Sequence, residues 1–586
     1  MREPRELHFD TRDGSALFYR HWPALDGPGE QALLLLHRGH EHSGRLQHVV
    51  DELDLPGFAV FAWDARGHGR SPGPRGHCPG IATATGDLDT FVRHLRDRHG
   101  IAPENLVVIA QSVGAVIAAT WAHDYAPPVR ALVLAAPAFK VKLYVPLARP
   151  ALRLRYALGG NFEVQSYVKA KFLTHDPARI ASYDADPLIT RAIAVNMLLG
   201  LYEAGERVVE DAAAITLPVL VLVSGADFVV HRAPQRRFFE RLGSKVKAYH
   251  ELPGFYHDTF GELRRSEAIG LVRAFVRKCF DAPFERPDLR TADRHGHTFD
   301  EYRRLQAPLP EGSWKIPYYA AVRAGLALGA RLAESIRIGH ETGFDSGSTL
   351  DAVYRNRPAG FGPPGRLIDR LHLDSAGWAG IRIRKQHVEA LLADAVRALR
   401  RAGRPVRIVD IAAGHGRYVL DGLATLPEPL EAADSVLLRD YSPINVAAGR
   451  QLIAARGLAA TVRFEQGDAF DRDALAALTP KPTVAIVSGL YELYPDNAPL
   501  AASLSGLAAA LEAGGFLIYT GQPWHPQLEL IARALASHRG GAPWVMRRRT
   551  QGELDQLVAA AGFDKCTQLI DDAGIFTVSL AVRRAS

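Results

Sequence analysis

The sequence predicts an α/β protein built as two successive halves. Short continuous runs of Val, Leu, Ile and Ala alternate with helical patterns from residue 32 to 224, and a second such series starts at residue 407. Runs of this kind suit parallel strands buried on both faces, whereas a half-exposed sheet would alternate apolar and polar residues. Between the two series lies a charged stretch, 281–310, carrying Pro283, Pro287, Pro308 and Pro310. The length, 586 residues, gives room for two large domains or for three or four of roughly 150 residues.

In the first half the candidate strands are Ala32–Leu36, Ala59–Trp63, Leu106–Ala110, Ala131–Ala135 and Val219–Ser224, each followed by a loop rich in Gly, Pro, Asp or His. Alternation with helices implies a parallel sheet. From Phe139 to Ala212 the strand signal stops and a helical insertion is expected, the natural place for a lid. The stretch 281–384 reads as a linker and helical or loop segment. Its helical patterns run from Tyr318 to Ile338 and, beyond a Gly-, Pro- and Asp-rich interval over Glu341–Gly380, from Lys385 to Arg401. The second strand series is Arg407–Ile411, Val436–Arg439, Val462–Glu465, Thr483–Ser488 and Gly515–Thr520, closed by a pair near Thr567–Ile570 and Thr577–Val582. The expected domains are 1–280 with a lid at about 139–212, the connecting segment 281–384, and 385–586.

Composition narrows the class. Hydrophobic residues at 47% and charged residues at 23% exclude a disordered chain, a collagen-like repeat and a coiled-coil rod. Seventy basic residues against 64 acidic ones are too even a balance to imply nucleic acid. The three cysteines, Cys78, Cys279 and Cys566, form no CxxC pair, which argues against a disulfide framework or a thiolate zinc site. The first residues carry charges of both signs and no apolar core, so no secretory signal is visible. These features predict a cytoplasmic protein.

A chemical pattern stands at Ala110-Gln111-Ser112-Val113-Gly114, where a buried strand meets a helix of small residues with serine at the apex. This is the nucleophile-elbow pattern with alanine in place of the first glycine; small residues are needed because the turn brings strand and helix close together. A serine becomes a nucleophile only with a base, and the base needs an orienting acid. In this topology the chain order is Ser, acid, His. Asp227 follows the strand Val219–Ser224, and His257 lies in a loop after the next strand. Asp258 is a rival acid, but a side chain adjacent to a histidine rarely reaches its Nδ1, so Asp227 is preferred. For an oxyanion hole the backbone N–H groups of Gly39 and Val113 are the candidates. His37, His40 and His42 lack a matching Cys or carboxylate set, so no metal site is expected, and His68 reads as a structural residue.

On these motifs, together with His37-x-Gly39-x-Glu41-His42-Ser43 and Asp64-Ala65-Arg66-Gly67-His68-Gly69, the first half resembles the α/β-hydrolase superfamily and within it the monoacylglycerol lipase and lysophospholipase group. The resemblance implies a serine hydrolase of carboxylic esters, of small-molecule or lipid type, under a helical lid. Arg38 departs from the His-Gly dipeptide of that group. The lid interleaves Lys140, Lys142, Arg149, Arg153 and Arg155 with leucines and Tyr144. That pattern suits either peripheral contact with the inner membrane surface or a solvated charged face over a packed core. A peptidase or thioesterase is chemically close, since a triad does not choose its acyl group.

The second pattern is Asp410-Ile411-Ala412-Ala413-Gly414-His415-Gly416, a strand turning through small residues into a helix. Glycines let a ligand approach the backbone, and the helix start offers unpaired N–H groups. Asp440 ends the next strand and Asp468 follows the third. An acid in the first of these positions is expected on ribose hydroxyls. This half resembles class I S-adenosylmethionine-dependent methyltransferases, which have a Rossmann-like fold. The resemblance implies S-adenosyl-L-methionine as cofactor, held by Asp410, Ala412, Gly414, Gly416, Asp440 near the ribose and Asp468 near the adenine. Ser488–Tyr494 fills the loop facing the transferred methyl. Tyr491, Glu492, Tyr494, Trp524 and His525 are candidate pocket residues, and Arg355, Arg357, Arg366 and Arg370 suit either an anionic acceptor or structural ion pairs. Two readings remain, a bifunctional hydrolase and methyltransferase, or a hydrolase with a cofactor-sensing or scaffolding second half.

Overall fold

A computed structural model describes every residue except Met1, Tyr167, Pro427 and Ser586. The chain divides into two compact units, Met1–Pro287 and Asp288–Ser586.

In the first unit the strands are β1 (Arg5–Asp10), β2 (Ala16–Trp22), β3 (Gln31–Leu36), β4 (Phe58–Trp63), β5 (Leu106–Gln111), β6 (Ala131–Ala135), β7 (Glu163–Gln165), β8 (Ala192–Ala194), β9 (Val219–Ser224) and β10 (Lys247–Leu252). Eight of them form one sheet in the order β1-β2-β4-β3-β5-β6-β9-β10. From β4 to β10 every neighbouring pair is parallel, and the antiparallel β1 and β2 lie at one edge. Strands β4, β5, β6 and β9 are buried along their whole length, which is why they read as continuous apolar runs. The edge strand β1 has a polar, mostly exposed sequence that carries no such signal. The insertion holds helices Ala148–Gly159, Pro177–Ala185 and Val195–Glu210 and also the short antiparallel pair β7–β8, which the sequence did not announce. Helix Val195–Glu210 buries an apolar face, whereas Ala148–Gly159 buries nothing.

The second unit carries β11 (Arg407–Asp410), β12 (Ser435–Asp440), β13 (Val462–Gln466), β14 (Val484–Val487), β15 (Phe516–Gly521), β16 (Phe563–Ile570) and β17 (Thr577–Arg583) in the order β13-β12-β11-β14-β15-β17-β16. The first five are parallel, and β17 runs antiparallel between β15 and β16. Strand order reverses between β11 and β14. At such a switch point the loops leave in opposite directions and open a crevice beyond the strands' carboxyl ends.

The segment 281–384 corrects the expectation of a linker. From residue 288 it belongs to the second unit and folds into helices His297–Gln306, Lys315–Gly329, Glu334–Thr342, Gly347–Arg355 and Gly362–Leu373, followed by Ala376–Arg401. Several of its Gly and Pro residues stand at helix ends. Gly343 ends one helix at φ 93°, Ser346 caps the next through the Thr349 N–H, and the Gly362 helix has proline in its first turn. These helices have a core of their own, with Ile336, Phe344, Val353, Leu373, Trp378 and Ile381 packed against Ile575 and Phe576. Among the described residues no helix is long and apolar enough to cross a membrane.

Candidate functional site

Strand β5 delivers Ser112 at its carboxyl end, and helix Val113–Tyr125 begins at once. The turn between them puts Ser112 at φ 56°, ψ −115°, a strained conformation for a non-glycine residue. The approach is close: a Cβ on Gly114 would stand 2.6 Å from the His37 carbonyl oxygen. Ala110 keeps the space that a glycine would leave and is fully buried.

Around Ser112 the chain brings three distant residues together. The Ser112 Oγ lies 2.7 Å from His257 Nε2, and His257 Nδ1 lies 2.7 Å from Asp227 Oδ2. The other Asp227 oxygen accepts the N–H groups of Val229 and Val230 at 2.6 and 3.0 Å. Burial pushes the Asp227 carboxyl up, but the His257 imidazole and these two N–H groups outweigh it and hold the carboxyl below its usual range. The arrangement can carry a proton from a serine hydroxyl to an imidazole whose orientation is fixed by a buried carboxylate.

Asp258 serves a different purpose. Its carboxylate accepts from Arg179 of the insertion at 3.2 Å and from Gln111 Nε2 at 3.3 Å, and lies 3.7 Å from Arg38. Arg38 also binds Glu41 at 2.8 Å and lies over the Tyr183 ring. The residue that breaks the expected dipeptide is therefore a buried cross-link between the loop after β3, the loop of His257 and the insertion.

Beside it, Gly39 and Val113 meet. A Cβ on Gly39 would lie 3.1 Å from a Val113 methyl. His37 Nε2 accepts the Ala65 N–H at 3.0 Å, so its proton sits on Nδ1 and is donated to the Arg38 carbonyl at 2.7 Å. Burial drives the His37 pKa down, which keeps this neutral form. With the Arg38 carbonyl so tied, the trans peptide turns the Gly39 N–H the other way. Both Gly39 and Val113 line a cavity of about 50 Å³. His42 is engaged elsewhere, with Asp186 at 2.9 Å, and His68 contacts the Arg66 carbonyl at 3.0 Å.

In the second unit the loop after β11 supplies Gly414 and Gly416, at φ 58° and 75°. A Cβ on Gly416 would stand 2.5 Å from Leu438, so this turn requires glycine. Asp440 at the end of β12 is fixed by three donors, with Oδ2 accepting the Gly414 N–H at 2.8 Å and Oδ1 accepting Ser442 N–H and Asn445 Nδ2, both at 2.9 Å. Asp468 accepts the Phe470 N–H at 2.9 Å in an exposed loop. Asp410 is fully buried, bonded to the Tyr418 hydroxyl and the Ala412 N–H. A cradle of two left-handed glycines flanked by two oriented acids fits an adenosine ligand.

Sequence reasoning missed the wall opposite. Helix Gly347–Arg355 lies across the glycine loop, with Ser348 Oγ 3.3 Å from His415 Nε2 and Asp351 paired to Arg417 at 2.6 Å. The small residues of Ser346-Gly347-Ser348 were the available signal. Of the arginines considered for an anionic acceptor, Arg355 pairs with Asp351 at 3.2 Å and Arg370 with Asp374 at 3.6 Å, each one helical turn away.

Burial raises the Asp410 pKa to about 7, opposed by the Tyr418 and Ala412 hydrogen bonds and reinforced by nearby Asp440. Because the folded value lies above the unfolded one, stability conferred below about pH 4 is lost as pH rises toward 7, by up to on the order of 4 kcal/mol. Asp410→Asn is expected to flatten that part of the stability-versus-pH curve measured by urea unfolding. An unchanged slope would place the ionisation elsewhere.

Comparison with known proteins agrees with this division. A family model described as "Serine aminopeptidase, S33" matches residues 27–264, and one described as "Putative methyltransferase" matches residues 272–583. The chain is 56% identical over 584 residues to YnbC of Escherichia coli (strain K12), described as an uncharacterized protein, covering all of this chain and 99% of that one. It is 29% identical over 274 residues to the monoacylglycerol lipase of Mycolicibacterium smegmatis, covering 46% of this chain and 96% of the relative. A crystal structure of the Paleococcus ferrophilus monoacylglycerol lipase aligns at a TM-score of 0.41 and 26% identity over 45% of this chain and 99% of that one. With one model spanning more than half its length and a relative matched end to end, the chain belongs to the family described as "Putative methyltransferase", carrying ahead of that domain an α/β-hydrolase domain of the monoacylglycerol lipase type.

Proposed function

We propose that the protein is a bifunctional cytoplasmic enzyme, a serine hydrolase of lipid esters of the monoacylglycerol or lysophospholipid class joined to an S-adenosylmethionine-dependent methyltransferase. The observation that carries the first activity is the buried chain Ser112–His257–Asp227 with both links at 2.7 Å. His257 Nε2 takes the Ser112 proton as Oγ attacks the ester carbonyl, and Asp227 holds the Nδ1–H and stabilises the imidazolium. The N–H groups of Gly39 and Val113 receive the oxyanion, each contributing about 2.7–4 kcal/mol to the transition state. His257 then returns the proton to the departing alcohol, and water repeats the cycle on the acyl-enzyme.

In the second unit Asp440 would hold the ribose and Asp468 the adenine side, and the backbone of Ala412, Gly414 and Gly416 would cradle the rest, with Asp410 bracing the loop. The cofactor, when bound, supplies an electrophilic methyl group. Release of fatty acid from monoacylglycerols and lysophospholipids, together with labelling of Ser112 by a fluorophosphonate, tests the hydrolase. The absence of both release and labelling would overturn it. Calorimetry with S-adenosylhomocysteine tests the second unit: saturable heat that Asp440→Ala abolishes is expected, and its absence from the wild type would overturn both the transferase and a cofactor-sensing role.

The insertion supports a lipid-surface partner. Leu147, Leu154 and Leu158 are 79, 63 and 81% exposed, while Arg149 and Arg153 are paired with Glu206 and Glu203 of the helix beneath. With those two charges matched, the exposed leucines stand on this face beside Arg155, which lies over the Phe162 ring. Cosedimentation with phosphatidylcholine vesicles should fall about a hundredfold in Leu154→Glu/Leu158→Glu, because two leucines moved from water into lipid contribute about 3 kcal/mol. Equal binding by wild type and variant would remove this face from the membrane reading.

A further inference from the structure

A cavity of about 240 Å³ lies in the second unit beyond the carboxyl ends of β14 and β15. One wall is apolar and aromatic, with Trp378, Trp544, Ile381 and Phe576. The other holds the polar groups Arg384, Glu492, Gln522 and His525, each at least nine-tenths buried. Their pairing is incomplete. Glu492 Oε1 accepts the Thr520 hydroxyl at 2.8 Å, but Oε2 has no partner. Gln522 Nε2, Trp544 Nε1 and Arg384 Nε are likewise unpartnered. Buried polar atoms are nearly always satisfied. All four open atoms belong to residues that line this one cavity.

The chemistry of the open atoms selects the ligand. We infer that this cavity takes a neutral, phenol-like molecule of about one substituted ring, whose hydroxyl hydrogen is donated to Glu492 Oε2, and that this molecule is the methyl acceptor: its oxygen would bond the methyl carbon as that carbon's bond to the cofactor sulfur breaks, and its proton would pass to Glu492 Oε2. Size comes first: an apolar cavity of about 150 Å³ holds a benzene, so the present one admits a ring with a small substituent. Charge comes second. Arg384 stands 3.9 Å from Glu492 and 4.9 Å over the Phe576 ring, so the site is already neutral and favours neither a carboxylate nor an ammonium ligand. Polarity comes third. On the polar wall the open acceptor Glu492 Oε2 matches the hydrogen of a hydroxyl, and the open donors Gln522 Nε2 and Arg384 Nε match its two lone pairs.

The walls are built to keep these groups in place. A Cβ on Gly489 would lie 2.8 Å from the Arg384 guanidinium, and one on Gly377 3.1 Å from His525 Nε2. His525 Nδ1 accepts the Gln527 N–H at 3.0 Å, which leaves the proton on Nε2 as a further donor, and burial lowers its pKa to about 4, keeping the ring neutral.

The role as methyl acceptor rests on the proposed transferase, whereas the site itself does not, and calorimetry separates the two. With the full-length protein and no cofactor, 4-ethylphenol should bind saturably, ethylbenzene about tenfold or more weakly, and 4-ethylbenzoate not measurably. Glu492→Gln keeps the shape and should cost 4-ethylphenol about tenfold while leaving ethylbenzene unchanged. Equal affinity for the phenol and the hydrocarbon, preference for the benzoate, or no saturable heat from any probe would overturn the inference in the wild type, without reliance on a variant. If S-adenosylhomocysteine binds and 4-ethylphenol does not, the cavity assignment fails and the transferase stands. If 4-ethylphenol binds and S-adenosylhomocysteine does not, the site stands and its assignment as methyl acceptor fails with the transferase.

Discussion

Ser112→Ala is expected to lower kcat for ester hydrolysis by about 10⁶-fold, the loss seen when the nucleophile of a hydrogen-bonded triad is removed. Asp227→Asn should cost about 10⁴-fold, because an amide in that position stabilises the wrong histidine tautomer. The two effects should not add, since each residue acts only through the other and His257. Neither change should lower Tm greatly. Ser112 occupies a strained left-handed turn that alanine tolerates no worse, and asparagine keeps an oxygen for the Val229 and Val230 N–H groups. p-Nitrophenyl ester hydrolysis with parallel thermal scans checks this. Unchanged turnover in Ser112→Ala would refute the triad.

Arg547→Met is expected to destabilise the second unit by about 3–5 kcal/mol, the cost of removing one partner from a buried ion pair. Arg547 and Glu553 are both fully buried and meet at 2.6 Å. Arg547 also binds Asn497 and the Pro495 carbonyl, while Arg549 donates to the carbonyls of Tyr491, Tyr494, Pro495 and Asp496. Arg548 reaches the Pro523 carbonyl and Glu301. Three consecutive arginines thus hold the loops after β14 and β15, at the cost of crowding like charges: burial first, and then Arg547, lower the Arg549 pKa to about 10. A drop of roughly 10 °C in the corresponding calorimetric transition is expected at this domain size. Arg547→Met/Glu553→Gln should recover only part of it, because the Glu553 carboxylate is no longer buried unpaired but Arg549, 3.8 Å away, loses the same partner. No change in Tm would show the pair to be dispensable.

Much of this was legible in the sequence because it is local. Strands buried on both faces are written as continuous apolar runs, so β4, β5, β6 and β9 fall within a residue or two of expectation, as do β12, β13 and β15. The elbow at Ser112 and the glycines at 414 and 416 show for the same reason, since each depends on close packing within a few residues of chain. The edge strand β1 was not legible, because an exposed strand needs no apolar run. The fold of 288–384 was legible only in part: the helical pattern over Tyr318–Ile338 falls on helices Lys315–Gly329 and Glu334–Thr342, whereas several of the Gly and Pro residues that read as loop stand at helix ends.

By itself, then, the sequence determined the two α/β halves, their order along the chain, and the residue types competent for ester cleavage and adenosine binding. Only the tertiary structure decided that Asp227 rather than Asp258 meets His257, that Arg38 is a buried cross-link, and that Glu492 faces a cavity with one oxygen unpaired. The physical reason is the same in each case. Hydrogen-bond partners and burial are set by residues tens to hundreds of positions away, and no local pattern records which carboxylate a distant side chain will find.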